Sequence, residues 1–215
     1  YSLNSLDFFY LSKLQPYQKK ILEILGFGNI EIIDCNKYRH IAADQIFTVD
    51  HPWYTKGYIS KEAKNLPIWV MKWIRNIFLD KATEFNCNEK IFIDRSESIH
   101  GHCQIKNNSE VTSFLNKNGF TTYKVGQLSL ENQIYLFKNA KIIIGAHGAA
   151  FANLVFCNPG TKVIEIKPIN HPNYVSQTIS NFNNIELKYI ETPEVKNNDM
   201  LGDIYLNIDE LGKNL

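Results

Sequence analysis

Lys141-Ile142-Ile143-Ile144-Gly145-Ala146-His147-Gly148-Ala149-Ala150-Phe151-Ala152-Asn153 is the stretch on which the fold turns. Three consecutive isoleucines without polar alternation read as a strand that is apolar on both faces, as a parallel sheet covered by helices requires. Small residues then run almost unbroken to Phe151, which predicts a tight turn and a helix starting near Gly148. The free N–H groups at such a helix start point at whatever lies beyond the strand.

The same alternation of strand and helix extends in both directions. Upstream, Ser129 is a good N-cap for a helix through Ile134 and Phe137. Thr121 to Val125 reads as a strand, and Ser109 to Asn118 as a helix with Val111, Phe114 and Leu115 inward, stopped by Gly119. Ile91-Phe92-Ile93 is a further strand. Downstream come a strand at Val163-Ile164-Glu165-Ile166, a helix from about Asn173 to Phe182 and a strand from Ile185 to Ile190. These elements predict an α/β fold with a Rossmann-like parallel sheet over residues 87–195.

Residues 1–86 are expected to form a separate, partial α/β lobe. Pro16 opens and Gly26 closes an amphipathic helix there, followed by a strand from Ile30 to Asp34 and a weaker one from Ile46 to Val49. Pro67 opens a longer helix carrying Met71, Ile74, Phe78, Ala82 and Phe85 at helical spacing, with Trp69 and Trp73 broadening its apolar face. Residues 196–215 are polar and poorly patterned, and are expected to be a tail without function.

A formal net charge of +1 removes the electrostatic footprint of a general nucleic-acid binder. No run of about 18 apolar residues is present, so no transmembrane segment is expected in this chain. Cys35, Cys87, Cys103 and Cys157 form no CxxC pair, which argues against a disulfide framework and a cysteine-rich zinc site and makes a reducing compartment the default. His100-Gly101-His102-Cys103 lacks a fourth ligand at sensible spacing and reads as a loop rather than a metal site. The expected metal and cofactor content is none.

In an open parallel sheet, ligands occupy the crevice beyond the carboxyl ends of the strands. Asp94 and Arg95 emerge there from one strand, Gly145, Ala146 and His147 from a second, and Glu165 and Lys167 from a third. Arg95 offers a fork of donors suited to a diphosphate, or is a solvated strand-end arginine. His147 adds a donor beside such an anion, and Gly148 and Ala149 let it approach the backbone. Glu165 interrupts an apolar strand, so its carboxylate needs partners; ribose hydroxyls or a neighbouring loop would both serve. Gln133 and Asn153 are polar groups on helices beside the crevice. Trp53, in a turn-like segment, reads as a loop anchor or an acceptor contact. The glycine spacing matches neither GxGxxG nor GxxxxGK[ST], which argues against a dehydrogenase or a P-loop protein.

The run from Leu130-Glu131-Asn132-Gln133-Ile134 through Phe137, Ala140 and Ile143-Ile144-Gly145-Ala146-His147-Gly148-Ala149 resembles glycosyltransferase family 61. Asn153, Phe156, Pro159-Gly160 and Val163-Ile164-Glu165 continue the resemblance in fixed order, and weaker similarity extends from about Phe8 to Ile190. It implies an inverting, metal-independent GT-B enzyme that moves sugar from a UDP-sugar to a glycan hydroxyl. It further implies a role in polysaccharide biosynthesis, capsular in bacteria; the expected setting is cytoplasmic, with association at the inner face of the membrane left open. The expected catalytic residues are His147 and Arg95, and the expected donor-binding residues are Gly145, Ala146, Gly148, Ala149, Asn153, Glu165 and Gln133.

Two departures stand out. Ile105-Lys106-Asn107 keeps an Ile-x-Asn element, but Cys103-Gln104 stands where the family has arginines. Residues 1–86 also supply only part of an acceptor lobe, as expected of an excised fragment or a naturally reduced protein. The alternative reading is a non-catalytic nucleotide-sugar-binding module.

Overall fold

The computed structural model describes residues 6–48, 65–96, 102–169, 171, 175–193 and 202–215. The chain forms two compact units, Tyr1–His51 and Pro52–Leu215.

In the first unit, strands β1 (Phe8–Leu11) and β2 (Glu31–Asp34) pair in parallel with Phe8 opposite Glu31. Helix α1 (Pro16–Ile24) connects them. Gly26 ends the helix at φ 86°, while Phe27 N–H donates to Leu22 O over 2.8 Å and Gly26 N–H to Glu23 O over 3.0 Å. This is the left-handed closing turn that glycine enters without a Cβ penalty. Residues 46–48 form no strand, contrary to expectation. Ile46 and Phe47 are exposed. Val49 lies outside the described residues.

Among the described residues of the second unit, helix α2 (Ile68–Phe78) comes first and passes into a 3-10 turn at Leu79–Lys81. The helical spacing through Ala82 and Phe85 overextends it. Its buried positions are Met71 and Phe78, whereas Trp69 is 60% and Trp73 46% exposed. The tryptophans thus widen the solvent side and not the core side. The guanidinium of Arg75 donates to Val155 O and, over 2.9 Å, to Cys157 O. This tie is why α2 belongs to the second unit, although the sequence groups it with residues 1–86.

Among the described residues five strands follow: β3 (Lys90–Ile93), β4 (Thr121–Tyr123), β5 (Ile142–Ala146), β6 (Lys162–Pro168) and β7 (Glu186–Thr192). All pair in parallel, in the order β4-β3-β5-β6-β7. The direction of winding reverses between β3 and β5, as in Rossmann-like sheets at their topological switch point. Helices α3 (Asn108–Lys117), α4 (Leu130–Asn139) and α5 (Val175–Asn183) occupy the connections. Ser129 caps α4 by accepting from Asn132 N–H over 3.2 Å.

One sheet face, formed by Phe92, Ile144, Ala146, Ile164, Ile166 and Ile190, packs against Val111 and Leu115 of α3. Ile204, Leu206 and Leu211 complete that core. Residues 202–215 are therefore not a patternless tail. Ile204 bridges Ile105 in parallel, Asn107 bonds both the N–H and the carbonyl of Leu206, and helix α6 (Ile208–Asn214) closes the chain. None of the four cysteines is in a disulfide.

Candidate functional site

The carboxyl ends of β3 and β5 flank the switch point. Asp94 N–H continues the ladder to Tyr123 O over 3.0 Å, after which the chain turns away. The Asp94 carboxylate is engaged locally, accepting from Ser96 N–H and Oγ over 2.9 Å each and from Asn108 Nδ2 over 3.1 Å. It shapes the turn that aims Arg95 across the crevice. The Arg95 guanidinium donates to His147 O and, over 3.3 Å, to His102 O. Burial pushes its pKa down from the ordinary arginine value.

Gly148 is fitted to this crossing. A Cβ there would lie 2.2 Å from Arg95 Cζ, so the guanidinium occupies the space a side chain would take. Its φ of 165° is extended and open to any residue, so the requirement is room and not conformation. Gly145 answers a different need: a Cβ would meet Ile93 Cβ at 2.9 Å. Beyond Gly148 the chain winds as a 3-10 segment, Ala149–Phe156, where the sequence predicts an α-helix.

His147 is buried, its N–H bonded to Ile166 O over 2.7 Å. Its Nδ1 forms a short contact with Glu165 Oε1. Glu165 is fully buried in β6, in register with Gly145. The carboxylate thus faces an imidazole and not an open crevice, and its Oε2 has no hydrogen-bond partner among the described residues. Such a carboxylate–imidazole contact fixes the plane of the ring, as in sites where an outer carboxylate orients a working histidine. Lys167, two residues on and on the same face, is also buried. It pairs with Glu191 over 3.3 Å and lies 4.0 Å from the Tyr189 ring centroid.

A second imidazole sits against the first. The His171 ring centroid is 4.0 Å from that of His147, inclined by 43°. Sequence reasoning missed this residue, which follows β6 in a turn carrying no periodicity.

Gln133 and Asn153 meet each other: Asn153 Nδ2 donates to Gln133 Oε1 over 3.1 Å, and Gln133 Nε2 to Leu128 O over 3.1 Å. They tie α4 to the 3-10 segment. Of the loop that invites a metal reading, His100 and Gly101 lie outside the described residues, and Cys103 is buried at φ 53°. Trp53 also lies outside them. Among the described residues, no group of three or more His, Cys, Asp or Glu side chains is disposed to hold a metal ion.

Between Asp94, Arg95, Gln104, Asn108 and Ala146 a cleft of about 50 Å³ remains. Small-molecule sites span roughly 300–1,000 Å³, so the cleft as it stands is smaller than a site of nucleotide size. A larger hollow of about 460 Å³ opens at the opposite edge of the sheet, between residues 84–89 and α4. Its groups serve the loop's own fold: Asn88 Oδ1 accepts from Lys90 N–H over 3.0 Å, and Glu89 pairs with Lys141 over 2.8 Å. Volume therefore does not select the site; converging donors at the switch point do.

The family model described as glycosyltransferase 61 matches residues 7–164. It covers both strands of the first unit and β3 through β5 of the second, and it ends within β6. No curated protein matches the chain. No helix among the described residues is long and apolar enough to cross a membrane.

Proposed function

The chain belongs to glycosyltransferase family 61, and from that premise we propose that its switch-point cluster grips the diphosphate of a UDP-sugar. The reaction is an inverting, metal-independent transfer to a glycan hydroxyl in polysaccharide biosynthesis, in a cytoplasmic setting. The observation that carries this reading is the meeting of Arg95, His147 and Gly148. The guanidinium bonds the His147 carbonyl and lies against the side-chain-free Gly148 at the place where parallel sheets take their ligands, while the His147 imidazole is buried against Glu165.

In this mechanism the acceptor oxygen attacks the anomeric carbon from the face opposite the diphosphate. The bond from that carbon to the leaving oxygen breaks, and negative charge grows on the nucleoside diphosphate. Arg95 and His147 offset that charge, together with the N–H groups after Gly148, while Glu165 holds the His147 ring in place. Gly145, Ala146 and Ala149 keep the approach clear, and Gln133 and Asn153 brace the 3-10 segment that borders the donor. In a GT-B arrangement the second unit carries the donor lobe and the first unit belongs to the acceptor lobe. Asp44 is exposed in the first unit; Asp50 and His51, the other acceptor-side candidates for a general base, lie outside the described residues.

Removing one preorganised donor typically lowers a rate by about 10²–10³. Arg95→Ala and His147→Ala are each expected to reduce transfer by that factor, and His147→Ala, which strips the buried Glu165 carboxylate of its partner, should also lower the thermal midpoint. Full activity in a folded His147→Ala protein would remove the imidazole from the mechanism.

A second reading, a nucleotide-sugar-binding module without turnover, draws on Cys103-Gln104. Cys103 is a buried thiol at a position where the family resemblance leads one to expect a phosphate-binding arginine. Calorimetry with UDP, run beside donor-hydrolysis and transfer assays, separates the two: binding without turnover favours the module.

A further inference from the structure

Neither ring nitrogen of His171 has a hydrogen-bond partner among the described residues, and both are shielded from solvent. A neutral imidazole carries one donor and one acceptor, so two polar atoms are held dry and idle beside the proposed catalytic histidine. Buried polar groups are rarely left so without a task.

The charges facing this ring come from several elements. His147 reaches it from the end of β5, Glu165 and Lys167 from β6, and His102 from the segment ahead of α3. Glu191 of β7 is spent on Lys167, and Glu165 bonds His147. Among the described residues the groups acting on His171 are mostly cationic or potentially cationic, and the one carboxylate among them, Glu165, bonds His147. A diphosphate supplies what is missing, since its oxygens accept hydrogen bonds and bring negative charge.

We propose that His171 is a further donor-site residue, whose ring takes up a proton and contacts the diphosphate when the nucleotide binds. This rests on the reading of the switch point as a diphosphate site. In the empty protein the imidazole is held neutral: burial, then the proximity of His147 and Lys167, lowers its pKa from 6.5 to about 4. Bound phosphate oxygens reverse the electrostatic part of that depression. Proton uptake on binding means that affinity rises as pH falls from the bound-state pKa toward the free-state pKa.

The test is the affinity for UDP between about pH 7.5 and about pH 5.5, for the wild-type chain and for His171→Gln. Titration of UDP itself and of the other site groups is shared by both proteins, so it cancels from the affinity ratio. The ratio of wild-type to variant affinity is expected to climb as pH falls, by at most about tenfold per pH unit for one linked proton. A flat ratio with UDP still bound overturns the role of His171 and leaves the diphosphate site standing. If the wild-type chain fails to bind UDP at any pH, the diphosphate site and His171 fall together. Should His171→Gln not fold, imidazole resonances of the wild-type chain decide the matter. The His171 pKa must rise by at least about one unit on adding UDP, and an unchanged pKa refutes the inference.

Discussion

Gly148 and Gly145 stand three residues apart on one turn and differ in what a methyl group would strike. At Gly148 the obstacle is Arg95 Cζ, 2.2 Å away, which is the far end of a long side chain. Gly148→Ala is therefore expected to push the guanidinium off His147 O, lowering transfer by tenfold or more while stability changes by less than about 1 kcal/mol. At Gly145 the obstacle is Ile93 Cβ at 2.9 Å, fixed to the neighbouring strand. Gly145→Ala should cost about 1–3 kcal/mol in urea unfolding, as overpacking in a close-packed core does. If both variants lose stability equally, the special purpose assigned to Gly148 is mistaken. The depressed pKa of His171 has its own consequence. Between 6.5 and about 4 the unfolded chain binds a proton that the folded chain refuses. Acidification through that window thus favours unfolding, with no such penalty above 6.5 and the whole of it present below 4. His171→Gln should flatten the fall in thermal midpoint over that range relative to wild type, and an unchanged profile would remove His171 as its source.

Elements were legible where one local rule governs them. Ser129 announces α4 as a cap, and its Oγ accepts from Asn132 N–H; Ser129→Ala should cost about 1 kcal/mol, read from the urea midpoint. The unalternating strands β3, β5 and β6 follow from burial on both faces, and the strand-end rule brings Arg95 and His147 to one rim. What one sequence window cannot carry is pairing. The contact between Glu165 and His147 arises from the register that sets Gly145 beside Glu165, a relation between residues 20 apart. The sequence flags a carboxylate in need of a partner without saying which partner. Strand β1 went unread for the same reason: Phe8–Leu11 becomes a strand through its parallel neighbour β2. Trp69 and Trp73 lie at helical spacing yet face outward, because a spacing argument gives the face of a helix but not which face is covered.

At the scale of the whole molecule the second unit is completed from its far end. Ile204, Leu206 and Leu211 are fully buried against the sheet face that carries Phe92, Ile144 and Ile164. They lie about 100 residues beyond the strand-to-helix segment they touch, in a stretch of chain with little apolar periodicity. Their attachment is specific. Ile204 N–H donates to Gln104 O over 2.9 Å and its carbonyl accepts from Lys106 N–H over 2.8 Å, while Asn107 brackets Leu206 and Asn207 caps α6. Burying three such side chains contributes roughly 5–9 kcal/mol at about 1.5–3 kcal/mol each. That is comparable with the whole stability of a typical domain, about 5–15 kcal/mol. The same contacts anchor residues 104–107, and Gln104 and Asn108 border the cleft beside Arg95. Deleting residues 202–215 should therefore abolish cooperative unfolding and UDP binding together. Leu211→Ala, which leaves the backbone clamp intact, should cost about 2–5 kcal/mol and keep a folded, UDP-binding protein. A truncated chain that unfolds cooperatively at the wild-type urea midpoint would show that the sheet closes its core without this segment.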